Sequence, residues 1–321
     1  MPHHNFPLSA KGLDQHSLPT PANALFREIS SAAVDVELAR LARSWSLGVI
    51  EKKVGSFKQA DSPRGARKKS FHALRAGSRL QEGHAARIQD AFPRSNVYLW
   101  WLHPIGAILC NPKLGADDLL AYLRRLPPGR TRSRIWMALY LPLGSIHSET
   151  LAPWTPELVV ALRTIGTPVA LFALLARLRI EQLSGSFFLG VDAATAAWEL
   201  LAKSISRSRH LLISKDCLIV AMDYFLSWAP FADARLWESF VAGRDLSCSG
   251  AVDACCHRAW ANDNSIPAEI KLARKARLID VFPDNPSPGT WSGNVFWGMR
   301  HPAPARFDDA PEPPVSGDER R

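Results

Sequence analysis

The chain has 321 residues and lacks any apolar run approaching the roughly twenty residues that a bilayer-crossing helix needs. Its most apolar window, residues 169–178, is about ten residues long and is broken by Arg177 and Arg179. The longer stretch 211–228 is interrupted by Lys215, Asp216 and Asp223. No membrane association is expected. Residues 1–20 lack both the positive start and the continuous apolar run of a secretory leader, so export is not expected either. Cysteine is scarce and odd in number: Cys110, Cys217, Cys248, Cys255 and Cys256 offer little support for a disulfide framework. Reduced thiols and a cytoplasmic location are the simpler expectation.

The usual sequence anchors of catalysis are missing as well. There is no Gly-x-x-x-x-Gly-Lys-Ser/Thr loop and no Gly-x-Gly-x-x-Gly turn, which removes the usual support for nucleotide hydrolysis and dinucleotide chemistry. No Gly-x-Ser-x-Gly elbow presents a serine nucleophile. Ten histidines are scattered without His-x-x-x-His spacing. Cys248, Cys255, Cys256 and His257 fall in one short run, whereas a structural zinc site draws on separated pairs. Adjacent Cys255 and Cys256 would point about 100° apart on a helix, so packing cysteines are the expected reading. Asp192 with Glu199 and Asp216 with Asp223 are spaced seven apart and read as exposed helix faces. No cofactor, metal or reaction is expected, although a site assembled from distant residues stays open.

What the sequence has in quantity is helical periodicity. Hydrophobic residues make up 47% of the chain, enough for a substantial core. In residues 23–49, Leu25, Phe26, Ile29, Ala32, Ala33, Val36, Leu41 and Trp45 follow a helical stripe, as one long helix or two shorter ones. Short helices are expected at 70–76 and 82–92 around a turn at Gly77, and another follows Asp117 and Asp118, whose charges suit a helix N-terminus. Thr155-Pro156 and Thr167-Pro168 read as threonine N-caps with proline in the first turn, starting helices at 156–165 and 168–183. Further helices are expected at 192–206, 211–228, 233–242, 251–261 and 267–279, and only 134–141 is ambiguous with a strand. The fold class is therefore all-α, an irregular array or bundle of roughly ten helices. Domain organisation reads as a flexible arm (1–23), a basic helical domain (24–126), a second helical domain (131–300) and an acidic, Pro-rich disordered tail (301–321).

Charge is the most specific feature. The chain carries a net +9, and residues 51–95 hold eleven basic against four acidic side chains, a net of +7. A field concentrated in this way attracts nucleic acid or an acidic protein partner. Lys52, Lys53, Lys58, Arg64, Arg67, Lys68, Lys69, His72, Arg75 and Arg79 are the expected contacts, with DNA the favoured polyanion. The plainer reading of the same residues is a basic loop followed by an amphipathic helix.

Within this region, residues 74–77, a short step to Gln81, and then Ile88 and Phe92 resemble the end of the lambda-repressor-like helix-turn-helix domain. The resemblance covers about twenty-five residues, 70–95. It implies that Lys68, Lys69, His72 and Arg75, on the helix before Gly77, would face DNA.

Eleven tryptophans complete the inventory, four of them in residues 98–103 and 291–297. Base-stacking surfaces are one reading, and core anchors the favoured one. The expectation as a whole is a helical accessory protein that binds nucleic acid through residues 52–94, with the second domain serving partner binding or self-association. The rival is a helical interaction module whose basic patch docks an acidic protein.

Overall fold

The computed structural model describes residues 20–54, 70–111, 114–124, 154–184, 190–227 and 259–281, and every regular element among them is a helix. The first half contributes α1 (Thr20–Ala42), α2 (Leu47–Val54), α3 (Ser70–Arg75), α4 (Glu82–Ala91), α5 (Val97–Leu102), α6 (Pro104–Cys110) and α7 (Ala116–Arg124). The second half contributes α8 (Pro156–Ile165), α9 (Pro168–Ser184), α10 (Gly190–Arg207), α11 (Arg209–Leu212), α12 (Lys215–Ser227) and α13 (Ala268–Val281). The all-α expectation holds. None of the described helices is long and apolar enough to cross a membrane. The expected elements at 134–141 and 233–242, the whole Cys248–His257 run, and the tryptophans at 291 and 297 lie outside the described residues.

Local chemistry sets the helix ends where the sequence placed them. Thr155 accepts from the Leu158 N–H at 3.4 Å with Pro156 in the first turn, and Thr167 accepts from the Ala170 N–H at 3.2 Å. Each threonine satisfies one of the backbone donors that a helix start leaves without an intrahelical acceptor. Gly166, at φ 65°, closes α8 in the left-handed conformation that glycine adopts without steric cost. α1 begins at Thr20, inside the stretch read from the sequence as an arm, whose residues 1–19 lie outside the described residues. The stretch 211–228 is two helices, broken at Ile213 and Ser214.

Two helices are buried nearly all round and organise the rest, as expected of helices that are not simply amphipathic. In α1, every residue from Glu28 to Ala39 is buried, with α2, α3, α5, α6, α11, α12 and α13 packed around it. In α9, every residue from Ala170 to Arg179 is buried, against α6, α7, α8 and α10. Leu171, Leu174 and Leu175 are fully shielded there, each stabilising by roughly 1.5–3 kcal/mol relative to exposure. One core cluster runs from Ala22 in α1 through Ile108 in α6 and Leu174 in α9 to Leu226 in α12. The two halves expected to be separate domains therefore share this core.

Residues 98–103 act as core anchors. Trp101 is 4% exposed and its indole N–H donates to the Leu80 carbonyl at 2.6 Å. Ser30 on α1 donates to the Trp101 carbonyl at 2.8 Å, tying α5 to the central helix. His103, at φ 42°, links α5 to α6, and its Nδ1 accepts from the Gly106 N–H at 3.0 Å. That acceptor role places the proton of the neutral ring on Nε2.

Candidate polyanion-binding surface and the ion network beneath it

The basic residues singled out by the sequence divide into three groups. Lys52 and Lys53, in the last turn of α2, are exposed, as is His72 on α3. The buried side of α2 is Ile50 and Val54, and that of α3 is Phe71 and Leu74, so the polar residues take the outer faces. Lys58, Arg64, Arg67, Lys68 and Lys69 lie outside the described residues. α2 and α3, the described elements on either side of residues 55–69, pack against each other.

Arg75 and Arg79 form the third group, and they correct the expectation that both face a polyanion. Arg75 Nε donates to Asp35 Oδ1 at 3.2 Å, and its Nη2 donates to the Trp45 carbonyl. Its side chain is 19% exposed and that of Asp35 only 1%. Arg79 donates through Nε and Nη2 to the Trp101 carbonyl, at 3.2 and 2.8 Å. Its guanidinium lies 3.9 Å from the Trp101 ring centroid and 5.1 Å from that of Phe26. Burial pushes Arg79 down to about 9, against a weaker upward pull from Glu82. Both arginines run inward because α3 and the Gly77 turn pack directly on α1, whose facing side carries carboxylates and aromatic surface.

Sequence reasoning missed those carboxylates. Glu28, Ser31 and Asp35 follow helical spacing on α1 and form a buried polar stripe along it. Arg274 on α13, itself 4% exposed, donates to Glu28 Oε1 at 2.9 Å, to Ser31 Oγ at 2.9 Å and to Asp35 Oδ2 at 3.4 Å. Arg277 adds bonds to Glu28 Oε2 at 3.0 Å and Oε1 at 3.2 Å. Gly77, at φ 84°, lies against this network: a Cβ there would sit 2.6 Å from Glu28 Oε2. The signal in the sequence was two acidic residues seven apart in the most apolar part of the first helix. It names no partner, because the basic residues that answer them lie 40 positions away for Arg75 and about 240–250 for Arg274 and Arg277.

A second buried group centres on Glu37. Its carboxylate is fully shielded and accepts from Arg40 Nε and Nη2 at 2.8 and 2.7 Å, and from the Asn96 N–H at 2.6 Å. His210 Nε2 lies 3.1 Å from its Oε2, the oxygen that also accepts from Arg40 Nε. Burial alone would raise this carboxyl, but the bonds from Arg40, His210 and Asn96 outweigh it and hold the group at about 2. The His210 ring lies flat on Trp100, with centroids 4.2 Å apart and planes 6° from parallel. His103, wholly buried nearby, is pushed down to about 3 by burial and stays neutral.

Of the carboxylate pairs noted in the sequence, Asp192 and Glu199 lie on α10 and Asp216 lies on α12, while the Asp223 side chain is outside the described residues. Glu199 accepts from exposed Arg163 at 2.7 Å, while Asp192 is exposed. Asp216 pairs with its neighbour Lys215. No group of three histidine, cysteine, aspartate or glutamate side chains converges on a common point among the described residues. Cys110 and Cys217 are buried free thiols, and burial pushes both upward, away from the reactive thiolate.

No protein-family model, curated protein or solved structure matches this chain.

Proposed function

We propose that the protein is a cytoplasmic helical accessory protein that binds nucleic acid, with DNA favoured, through the phosphate backbone. The observation that carries this reading is the charge of residues 52–69: Lys52, Lys53, Lys58, Arg64, Arg67, Lys68 and Lys69 stand against Asp61 alone. Lys52 and Lys53 are exposed on α2, and exposed His72 follows the same segment on α3. Arg75 and Arg79 are excluded from the contact set, because each already satisfies internal acceptors. Without them the resemblance to a helix-turn-helix loses one of its reading residues. The proposal is accordingly phosphate contact, not base reading.

Binding of this type releases counterions, so affinity falls linearly with the logarithm of salt concentration, with a slope of roughly −0.9 per phosphate neutralised on duplex DNA. The test is fluorescence anisotropy with a labelled duplex and a labelled single strand across a salt series. The quadruple change Lys52→Glu, Lys53→Glu, Lys68→Glu, Lys69→Glu is expected to abolish binding while the helical circular dichroism is kept. A wild-type protein that binds neither probe at low salt refutes the reading.

A further inference from the structure

Residues 27–43 carry no net charge, because Arg27, Arg40 and Arg43 stand against Glu28, Asp35 and Glu37. The fold separates the two signs. All three carboxylates are buried, whereas all three arginines are exposed. Glu28 and Asp35 are answered by Arg75, Arg274 and Arg277, and Glu37 by Arg40 with a bond from His210. The acids of α1 are balanced from within, and the charge left at its surface is arginine. None of residues 27–47 or 205–214 is an exposed carboxylate, and the second of these stretches adds Arg207 and Arg209 to the exposed cations.

Glu37 marks the point where three segments meet. Its Oε1 accepts from the Asn96 N–H at the start of α5, and its Oε2 lies 2.8 Å from Arg40 Nε and 3.1 Å from His210 Nε2 of α11. Arg94, two residues before Asn96, and Arg209, the neighbour of His210, are thereby brought to the end of α1 that carries Arg40. The side chains of Arg40 and Arg209 are 50% and 63% exposed, and Arg94 is exposed as well. Arg209 meets Asp263 through Nε at 3.4 Å, which leaves its two terminal nitrogens without a bond among the described residues. Both bonds from Arg40 to Glu37 hold that guanidinium in one orientation at the surface, so less side-chain entropy is lost when it takes a further acceptor. Asp90, at the end of α4, is the exposed acid closest in sequence to Arg94.

We propose that Arg40, Arg94 and Arg209, gathered around Glu37 where α1, α5 and α11 meet, form a second contact surface for the phosphate backbone of nucleic acid. This rests on the nucleic-acid reading and adds to it a site that no run of charge in the sequence announces. Arginine presents a planar fork of N–H donors that matches a phosphate, whereas lysine acts as a point charge. The surface also continues toward the lysines already named: α2, which begins four residues after exposed Arg43 and packs on α1, carries exposed Lys52 and Lys53. Cations drawn from separate segments in this way suit a partner whose charge repeats regularly. Each strand of a duplex supplies one phosphate per roughly 3.4 Å of axis, and the acidic side chains of a protein follow no such repeat.

Anisotropy with a labelled duplex across a salt series, on the full chain, tests the surface. The variant is Arg94→Gln with Arg209→Gln, which leaves Arg40 on Glu37. It is expected to weaken binding at least about tenfold near 0.1 M salt and to make the salt slope shallower by roughly 1.8, the share of two phosphate contacts. The control is Arg27→Gln with Arg163→Gln, an equal change in net charge elsewhere: Arg27 lies thirteen residues before Arg40, about 20 Å along the helix, and Arg163 is on α8. The control is expected to bind within about twofold of wild type. Arg94→Lys with Arg209→Lys keeps the charge and is expected to bind within about threefold of wild type. Equal affinities of the glutamine variant and the control overturn the surface while the nucleic-acid reading stands. Equal losses in the glutamine and lysine variants mark a structural effect and overturn it too. A wild-type chain that binds no duplex at low salt removes the nucleic-acid reading, and the second surface goes with it.

Discussion

Arg75 Nε sits 3.2 Å from Asp35 Oδ1, joining a helix at the edge of the basic region to the most buried stretch of α1. An arginine chosen by its neighbours in sequence as a phosphate contact is thus an internal counterion. The difference is measurable. Arg75→Ala leaves Asp35, 1% exposed, with Arg274 as its remaining partner, and is expected to cost about 2–3 kcal/mol in urea unfolding, somewhat less than breaking an isolated buried pair. Lys52→Ala and Lys53→Ala, on the exposed side of α2, are expected to change stability by less than about 0.5 kcal/mol while weakening duplex binding.

Two glycines close in sequence separate local propensity from packing. Gly77 has φ 84°, and a Cβ there meets Glu28 Oε2 at 2.6 Å, so Gly77→Ala is expected to destabilise by about 1–3 kcal/mol through strain and a displaced ion pair. Gly83 lies within α4, where a Cβ meets nothing within 4 Å. Gly83→Ala is expected to raise stability by about 0.5–1 kcal/mol, because alanine loses less backbone entropy in a helix. Paired thermal melts check both signs, and equal shifts in one direction would contradict the Gly77 geometry.

Acid should unfold the protein in two overlapping stages. His103 is held down at about 3 in the fold and takes up a proton near 6.5 when unfolded, so the unfolded state binds more protons between those values. Its contribution is complete above pH 6.5 and is lost as pH falls toward 3. Glu37 is held at about 2 against an ordinary 4.5, so its contribution is complete above pH 4.5 and is lost as pH falls toward 2. Stability is therefore expected to decline from pH 6.5 downward, and more steeply below 4.5. His103→Asn keeps a residue tolerant of positive φ at the start of α6 and is expected to flatten the decline between pH 6.5 and 4.5 and to make it shallower, without abolishing it, below 4.5. Urea midpoints at half-unit pH intervals provide the measurement, and an unchanged upper slope in the variant would remove His103 as its source.

Cys110 and Cys217 should resist alkylation in the native protein. Both side chains are buried, and burial raises both thiols, which suppresses the thiolate that reacts. Brief iodoacetamide treatment followed by peptide mass analysis is expected to modify these two only after denaturant is added. Modification at the native-state rate of a free thiol would show that α6 and α12 part more readily than their packing implies.

The helices were readable because their signals are local. Thr155-Pro156 and Thr167-Pro168 carry the donors' partners within three residues, and the apolar stripe of α1 repeats within each turn. The break at Ile213 and Ser214 was not readable, since the residues 211–228 keep an apolar pattern through it. The candidate surface was half readable. A run such as Arg64 to Lys69 declares its charge wherever it lies, but whether a given arginine faces water depends on what the fold sets opposite it.

The sequence by itself determined the class of element, most helix boundaries and the place where basic charge accumulates, all properties fixed by neighbours a few residues apart. Only the tertiary structure decided which charges remain free. It drew Arg75, Arg274 and Arg277 onto Glu28 and Asp35, and Arg40 and His210 onto Glu37, across separations of up to about 250 residues. The physical reason is that burying α1 all round makes its carboxylates intolerable without counterions, and the chain meets that demand with whichever basic side chains folding brings to them.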